Sequence, residues 1–365
     1  METRKPEGYP KVAIIILNWN GWEDTIECLE SLYQSNYLNY NVILVDNGSD
    51  DESIRRIKEY CEGKTKVESK FFKYDSTNKP IEIIELRRRD IETDNLITDK
   101  DFLNNVNSKT LTLILNEENL GFAKGNNVGI KYALKYNFDY IMLLNNDTVV
   151  SQKSFLNEMI SFMEENKNIG VSVPCICYYD QPNNIWNCGG KLLPFGWRRY
   201  FTSQNLLNSE RKYIDVSFIT GCALLIRKSV LERFGLLTED FFFGEEDYEL
   251  SIRMKKNKVN MACVLDAKIY HKVSSSVKKL GDEKLNFTFI HHLNRLVHLK
   301  RYYSRFLWEL FRIGALLYIF FMLRIRYRIS YKDLFKYIKR LIEYSNVLSG
   351  VDKENFERIL QSSFQ

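Results

Sequence analysis

Four stations along the chain carry side chains able to handle a charged, phosphate-bearing ligand. Asp46 closes the apolar run Val42–Val45, and Asp147 follows Tyr140–Leu144. The pair Glu246 and Asp247 follows the aromatic run Phe241–Phe243, and His271 follows Lys268–Tyr270. Acids at the carboxyl ends of buried strands collect on one rim of a sheet, where open α/β sheets bind ligands. Oxygen donors suit hard divalent ions such as Mg2+ or Mn2+, and one imidazole favours Mn2+ over Ca2+. Such an ion can bridge a diphosphate and neutralise charge building on it as it leaves. Each piece has a plainer reading when taken singly. An Asp after a strand serves as a cap or turn residue, and a single His near a strand end serves packing. Their order along the chain is what joins them.

The elements that must position these groups alternate. Val12–Leu17 is a continuous apolar run, as for a strand covered on both faces, and Asn18–Gly21 breaks it. A helix then starts near Asp24, whose carboxylate can cap it with Glu27 reaching back; its apolar face is Ile26, Leu29, Leu32 and Tyr33. After the second strand, Val42–Val45, Ser49 and Glu52 form another capping box, ahead of Ile54, Ile57 and Cys61. Leu111–Leu115, Tyr140–Leu144, Val171–Tyr178 and Gly221–Ile226 read as further strands. Phe155, Met159, Phe162 and Met163 mark a helix at i, i+4, i+7, i+8 spacing. Ser229–Phe234 is a short helix stopped by Gly235, and Leu250–Lys256 is another. Val259–Leu265 and Lys268–Tyr270 read as two strands, with His271 ending the second. This rhythm predicts an α/β fold with a mostly parallel, Rossmann-like central sheet flanked by helices.

Length and charge divide the chain. With 365 residues it exceeds what one compact core needs, so we expect a domain over 1–280 and a helical appendage over 281–365. Residues 63–109 lack a long period and are dense in Lys, Glu, Asp and Asn, including Arg87–Asp90. They read as an exposed insertion in which Ile81–Leu86 could be strand. The net charge of +5 belongs to the tail, where Asn286–Gln365 carries 14 Lys and Arg against 6 Asp and Glu. There Ile313–Leu323 is strongly apolar but bracketed by Arg312 and Arg324, short of the ~20 residues of a spanning helix. With Arg326, Arg328, Lys332, Lys336, Lys339 and Arg340 following, it fits an interfacial anchor on an anionic membrane. A helical cap on the first domain or an oligomer contact are the alternatives. No nucleic-acid-binding module is present. Met1–Pro10 is polar and Val12–Leu17 is too short for a signal, so cytoplasmic residence is expected, peripheral on the inner face of the cell membrane. Seven cysteines without a C-x-x-C pair argue for buried thiols rather than zinc or disulfides.

In sequence order, several blocks resemble family 2 glycosyltransferases of the GT-A fold, particularly their rhamnosyltransferase-like group. They are Val12–Gly21, Val45–Asp51, Asn119–Asn127, Leu144–Thr148, Thr220–Arg227, Phe243–Leu250 and Tyr270–His271. The resemblance spans roughly residues 11 to 275. It implies a metal-dependent, inverting transfer of a sugar from a nucleotide-sugar donor, of the dTDP-rhamnose or UDP-hexose class, in polysaccharide biosynthesis of the cell envelope. The acceptor would be a hydroxyl of a glycan or of a lipid-linked saccharide. By the same resemblance Asp46 contacts the base or ribose, and the loop at Asn18 lies against the nucleotide. Asn119, Gly121, Lys124 and Asn127 border the donor, Lys124 as a phosphate contact. Asn145-Asn-Asp147 occupies the place of the D-x-D metal motif, with Asn145 replacing its first acid. Asp147 and His271 are then the protein ligands of Mn2+ or Mg2+, and Asp247 is the base. Glu246 and Glu249 orient the acceptor or cap the following helix. A catalytically silent nucleotide-sugar binder or assembly subunit of the same fold is the alternative. A nucleotidyltransferase lacks its Gly-rich triphosphate loop here, and a dehydrogenase lacks G-x-G-x-x-G after the first strand.

Overall fold

The computed structural model describes residues 9–93, 110–273 and 284–361. The first half builds β1 (Val12–Asn18), α1 (Trp22–Tyr33), β2 (Tyr40–Asp46), α2 (Ser53–Cys61), β3 (Glu82–Arg87) and α3 (Arg88–Glu92). It continues with β4 (Thr110–Leu115), α4 (Phe122–Leu134), β5 (Tyr140–Asn145), β6 (Thr148–Val149) and α5 (Phe155–Glu165). Then come β7 (Ile169–Tyr178), β8 (Ile185–Asn187), β9 (Gly190–Leu192), β10 (Arg198–Tyr200), β11 (Tyr213–Val216) and β12 (Ala223–Arg227). After α6 (Lys228–Phe234), α7 (Glu246–Lys256) and β13 (Asn260–His271), the chain is helical. Its last helices are α8 (Lys284–Lys300), α9 (Arg305–Tyr327), α10 (Tyr331–Val347) and α11 (Lys353–Gln361).

The main sheet runs β11-β13-β7-β12-β5-β1-β2-β4-β3. Its pairs β1–β2, β1–β5, β2–β4, β3–β4 and β7–β13 are parallel, while β12 is antiparallel to both its neighbours. The expected α/β class with a mostly parallel, helix-flanked sheet is what the chain forms. Alternation along β1 explains the layers: Val12, Ile14 and Ile16 enter the core under α1 and α5, and Ala13 and Ile15 enter the one under α4. Every residue from Val12 to Ile16 is fully buried, which is why the run reads as unbroken apolar sequence.

Four local expectations need correction. The first helix starts at Trp22 without a side-chain cap. Asp24 and Glu27 instead hold Lys272 Nζ at 2.5 and 2.6 Å, a tertiary pull that local capping chemistry cannot reveal. Ser49 does not cap α2; its hydroxyl bonds Asp46 at 2.7 Å. The segments Val259–Leu265 and Lys268–Tyr270 are one strand, β13, interrupted in register between Val264 and Lys268. The apolar tail segment is part of a helix of 23 residues, long and apolar enough by length and composition to cross a membrane.

Within 63–109, Glu82–Arg87 joins the main sheet as edge strand β3, and Val67, Ile81 and Ile91 are buried. Lys79 reaches back to the buried Glu30 at 2.8 Å. Residues 94–109, and the 280/281 boundary, lie outside the described residues. The C-terminal helices make a third core that includes Phe241. Phe242 N donates to Val351 O at 2.8 Å, and Val351 N donates to Asp240 O at 2.8 Å, tying this core to the loop before α7.

Candidate active site

The strand order reverses between β1 and β5, and their carboxyl ends lie side by side. Asn18 is in register with Asp46, and Leu17 with Asn145. Such a reversal leaves a crevice that ligands use.

Asp46 and Asn18 are buried beneath that crevice. Asp46 Oδ1 accepts from Asn18 Nδ2 at 2.8 Å and from Ser49 Oγ at 2.7 Å, and its Oδ2 accepts from the Ser49 N–H at 3.0 Å. Asn18 Oδ1 in turn accepts from Thr25 Oγ1 at 2.8 Å. The carboxylate thus shapes the 46–49 turn from within, and the turn's rim is what meets solvent. Asn47 extends the network: its amide donates to Asn119 Oδ1 at 2.9 Å and its Oδ1 accepts from Asn116 Nδ2 at 3.0 Å. Asn119 Oδ1 also accepts from the Gly121 N–H at 2.8 Å.

Gly121 sits at φ 79°, and a Cβ there would stand 2.2 Å from Phe242 O. Only glycine fits, and the close approach seats the 119–122 turn against the loop before α7. Asn127 is buried and engages the 237–239 loop, donating to Leu237 O and Glu239 Oε1 at 2.9 Å each. It braces the site from behind. Lys124 is exposed in the first turn of α4.

Asp147 and His271 are brought together. β6 pairs with the end of β13, setting His271 opposite Thr148, and Nε2 of His271 lies 3.1 Å from Asp147 Oδ1. Trp186 stands edge-on to the imidazole, with centroids 4.6 Å apart. Burial opposes charge on His271, but the neighbouring Cys222 and Asp147 outweigh it and favour the protonated ring, so a cation binding there would displace that proton. A carboxylate oxygen and an imidazole nitrogen, adjacent and mostly buried, match the donor set of Mn2+. Among the described residues no group of three or more His, Cys, Asp or Glu side chains could hold a metal ion. Asn145 stands half-buried at the end of β5, and Asn146 donates to Thr25 Oγ1 at 3.0 Å.

The acidic trio opens α7. Glu245 is the N-cap, at φ 77° in the left-handed region. Its carboxylate takes Arg295 Nε at 2.5 Å, Arg295 Nη2 at 3.1 Å and His298 Nδ1 at 3.0 Å. Despite burial, the Arg295 guanidinium and the His298 hydrogen bond hold its pKa down to about 2. Glu246 is buried with Oε2 lacking a hydrogen-bond partner. Burial, with Asp247 next to it, pushes its pKa up to about 8. Asp247 is half-buried, packs against Gly221, and has Arg198 Nη1 at 3.9 Å from Oδ1. Burial raises it above the usual carboxylate range, while Arg198 pulls it back. Glu249 is buried, its oxygens gripping Arg253 at 2.8 to 3.1 Å and accepting from Tyr302 at 3.2 Å.

Asp247 packs against Gly221, where a Cβ would stand 3.7 Å from Asp247 Cβ, and the next residue, Cys222, is among the groups that shift the His271 pKa, so both acidic stations flank this loop. Larger cavities lie elsewhere: about 690 Å³ by Asp139 and Arg227, and about 1060 Å³ along β11. Neither is lined by the strand-end acids. Sequence reasoning missed Asn47, Arg198, Glu245, Arg295 and His298. Asn47 and Glu245 lay inside recognisable blocks, Val45–Asp51 and Phe243–Leu250; Arg198, Arg295 and His298 act through contacts between distant segments.

The family model described as "Glycosyltransferase like family 2" matches residues 98–286, and "Glycosyl transferase family 2" matches 13–81. The chain belongs to glycosyltransferase family 2. The low-salt glycan biosynthesis hexosyltransferase Agl10 of Haloferax volcanii is 26% identical over 148 residues, 39% of this chain and 46% of the relative. The match thus spans under half of that relative's length. Among solved structures, GalNAc-T7 with UDP, GalNAc and Mn2+ is similar at a TM-score of 0.50 and 14% identity, covering 73% of this chain and 44% of that one. The mannosyltransferase PcManGT of Pyrobaculum calidifontis, in complex with GDP-Man and Mn2+, follows at 0.46 and 14%, covering 94% and 88%. The family 2 chain has the GT-A fold.

Proposed function

We propose that this family 2 protein transfers a sugar from a nucleoside-diphosphate sugar to a hydroxyl of a glycan or lipid-linked saccharide, inverting the anomeric centre. The observation that carries the reading is that Asp247 packs against Gly221 while the Asp147–His271 pair lies by the next residue, Cys222. A base on one side and a cation-binding pair on the other is what a single displacement needs.

Asp247 is the base, accepting the proton of the attacking hydroxyl. Its raised pKa makes it a stronger base than an exposed Asp. Glu246, protonated near neutrality, donates a hydrogen bond to an acceptor oxygen. The 46–49 and 119–122 turns, fixed by Asp46, Asn47 and Asn119, wall the nucleotide, and Lys124 approaches its phosphates. Asp147 and His271 would hold Mn2+ or Mg2+, which when bound supplies positive charge to the departing diphosphate. Mn2+ with UDP in GalNAc-T7 supports this assignment. A UDP- or dTDP-sugar, rhamnose or a hexose, is the donor class, in line with the hexosyltransferase relative. The protein works at the cytoplasmic face of the cell membrane in polysaccharide assembly.

Nucleotide release from UDP-, dTDP- and GDP-sugars with Mn2+ tests the reading. One donor should turn over, and Asp247→Asn should abolish transfer while nucleotide binding persists. Substantial turnover by that variant removes Asp247 from the role. Nucleotide binding without any release would instead mark a silent binder.

A further inference from the structure

The residues that follow the turn at Gly196 face two different environments. Arg198 approaches Asp247 at 3.9 Å, with its guanidinium over Tyr200 and Phe218 at 5.1 and 4.9 Å. Trp197, one residue earlier, is 47% exposed and stands edge-on to Tyr318 of α9, with centroids 5.1 Å apart. Behind Trp197, against α9, lies a cavity of about 120 Å³ lined by Trp197, Leu296, Phe311, Ala315, Tyr318 and Ile319, with His292 and Arg295 also on its wall. Arg198 is not on that wall but is the next residue after Trp197, so a cation beside the proposed base and a largely apolar recess lie one residue apart, which suits a two-part molecule.

The outer face of α9 continues the recess. Phe306, Leu310, Ile313, Leu317, Phe321 and Ile325 recur every three or four residues and are 51 to 77% exposed. Tyr318 both lines the cavity and stands 51% exposed, so the two surfaces join. Arg326 and Arg328 are exposed at the carboxyl end of this stripe, and Lys332, Lys336 and Lys339 are exposed on the next helix, α10. An apolar face followed by five solvent-facing cations complements an anionic lipid surface.

We infer that the acceptor is an amphiphile drawn from an anionic bilayer, its apolar chain entering beside Trp197 and its anionic group held by Arg198. The α9 face rests on that bilayer, which brings the chain to the recess and the attached sugar to Asp247. The inference rests on the glycosyl-transfer reading and narrows its acceptor to lipid-linked saccharides.

Calorimetry with farnesyl phosphate, isopentenyl phosphate and farnesol separates chain from head group, with UDP and Mn2+ as the control. Farnesyl phosphate should bind roughly tenfold tighter than either fragment. Arg198→Gln and Ala315→Trp should each remove that advantage while UDP binding stays. Equal binding of the three probes, or no effect of Ala315→Trp, overturns the inference. Failure to bind UDP with Mn2+ would sink the transfer reading instead. In flotation assays the full chain should rise with phosphatidylcholine vesicles containing phosphatidylglycerol, and far less with phosphatidylcholine alone. The exposed pair Leu317→Glu and Phe321→Glu should abolish this. A wild-type dimer that these substitutions dissolve, with no vesicle binding, would assign the face to a second copy and overturn the docking.

Discussion

Arg198 Nη1 stands 3.9 Å from Asp247 Oδ1, so the proposed base has a cation beside it. Burial raises the Asp247 pKa and Arg198 lowers it. Transfer should therefore increase with pH as Asp247 loses its proton, with a midpoint above the ordinary 3.8. Removing the cation favours the protonated form, so Arg198→Gln should move that acidic limb upward. The pH profile of kcat/KM reads this directly, and an unmoved or lowered limb would disprove the coupling.

Glu246 predicts the other limb. Its pKa of about 8 keeps it neutral, and able to donate, below that pH. Activity should fall as it ionises, giving a bell-shaped profile whose values belong to the Glu246–Asp247 pair. Glu246→Gln keeps a donor that does not titrate. It should retain activity and lose the alkaline limb; a variant profile still bell-shaped would count against the assignment.

Much of this arrangement is legible from the chain because strand burial and strand ends leave local marks. Val12–Ile16 is fully buried and reads as unbroken apolar sequence, and Asp46 and Asp147 end such runs. Where acids serve distant partners, the local pattern misleads. Asp24 and Glu27 look like a capping pair but hold Lys272, about 250 residues away in sequence. Glu245 gives no local hint of Arg295 and His298, since nothing in the spacing of α8 says which loop it meets. Arg198 sits in a short strand, β10, whose sequence has no period long enough to read.

The cation pair gives a binding prediction. In the proposed site Asp147 and His271 hold the cation, so either Asp147→Ala or His271→Ala should weaken UDP binding in Mn2+ by about tenfold or more, roughly 1.4 kcal/mol. Binding without metal should change little. Calorimetry with and without Mn2+ decides, and an undiminished metal effect in both variants would exclude the pair.

Two glycines should respond to alanine with opposite signs. At Gly121, positive φ and the Phe242 carbonyl at 2.2 Å from a built Cβ predict a loss of about 1–3 kcal/mol. At Gly314, inside α9 with nothing within 4 Å, alanine should add up to about 1 kcal/mol through helix propensity. Thermal melts compare the two, and stabilisation by Gly121→Ala would contradict the turn geometry.

Glu245 links the helical appendage to the base, because the residue that accepts Arg295 and His298 immediately precedes Glu246 and Asp247. Truncating it leaves Arg295 buried without its carboxylate, so Glu245→Ala should cost about 3–5 kcal/mol. The folded pKa of about 2 lies below the ordinary 4.5. The stabilisation is therefore complete above about pH 4.5 and is lost as pH falls towards 2. Urea unfolding across that window should show the wild type losing stability more steeply than Glu245→Ala. Because α7 starts at this contact, the variant should also lose transfer more than nucleotide binding, whose turns lie on β1, β2 and α4. Parallel unfolding slopes, or equal losses of transfer and nucleotide binding, would reduce Glu245 to an ordinary packing contact of the appendage.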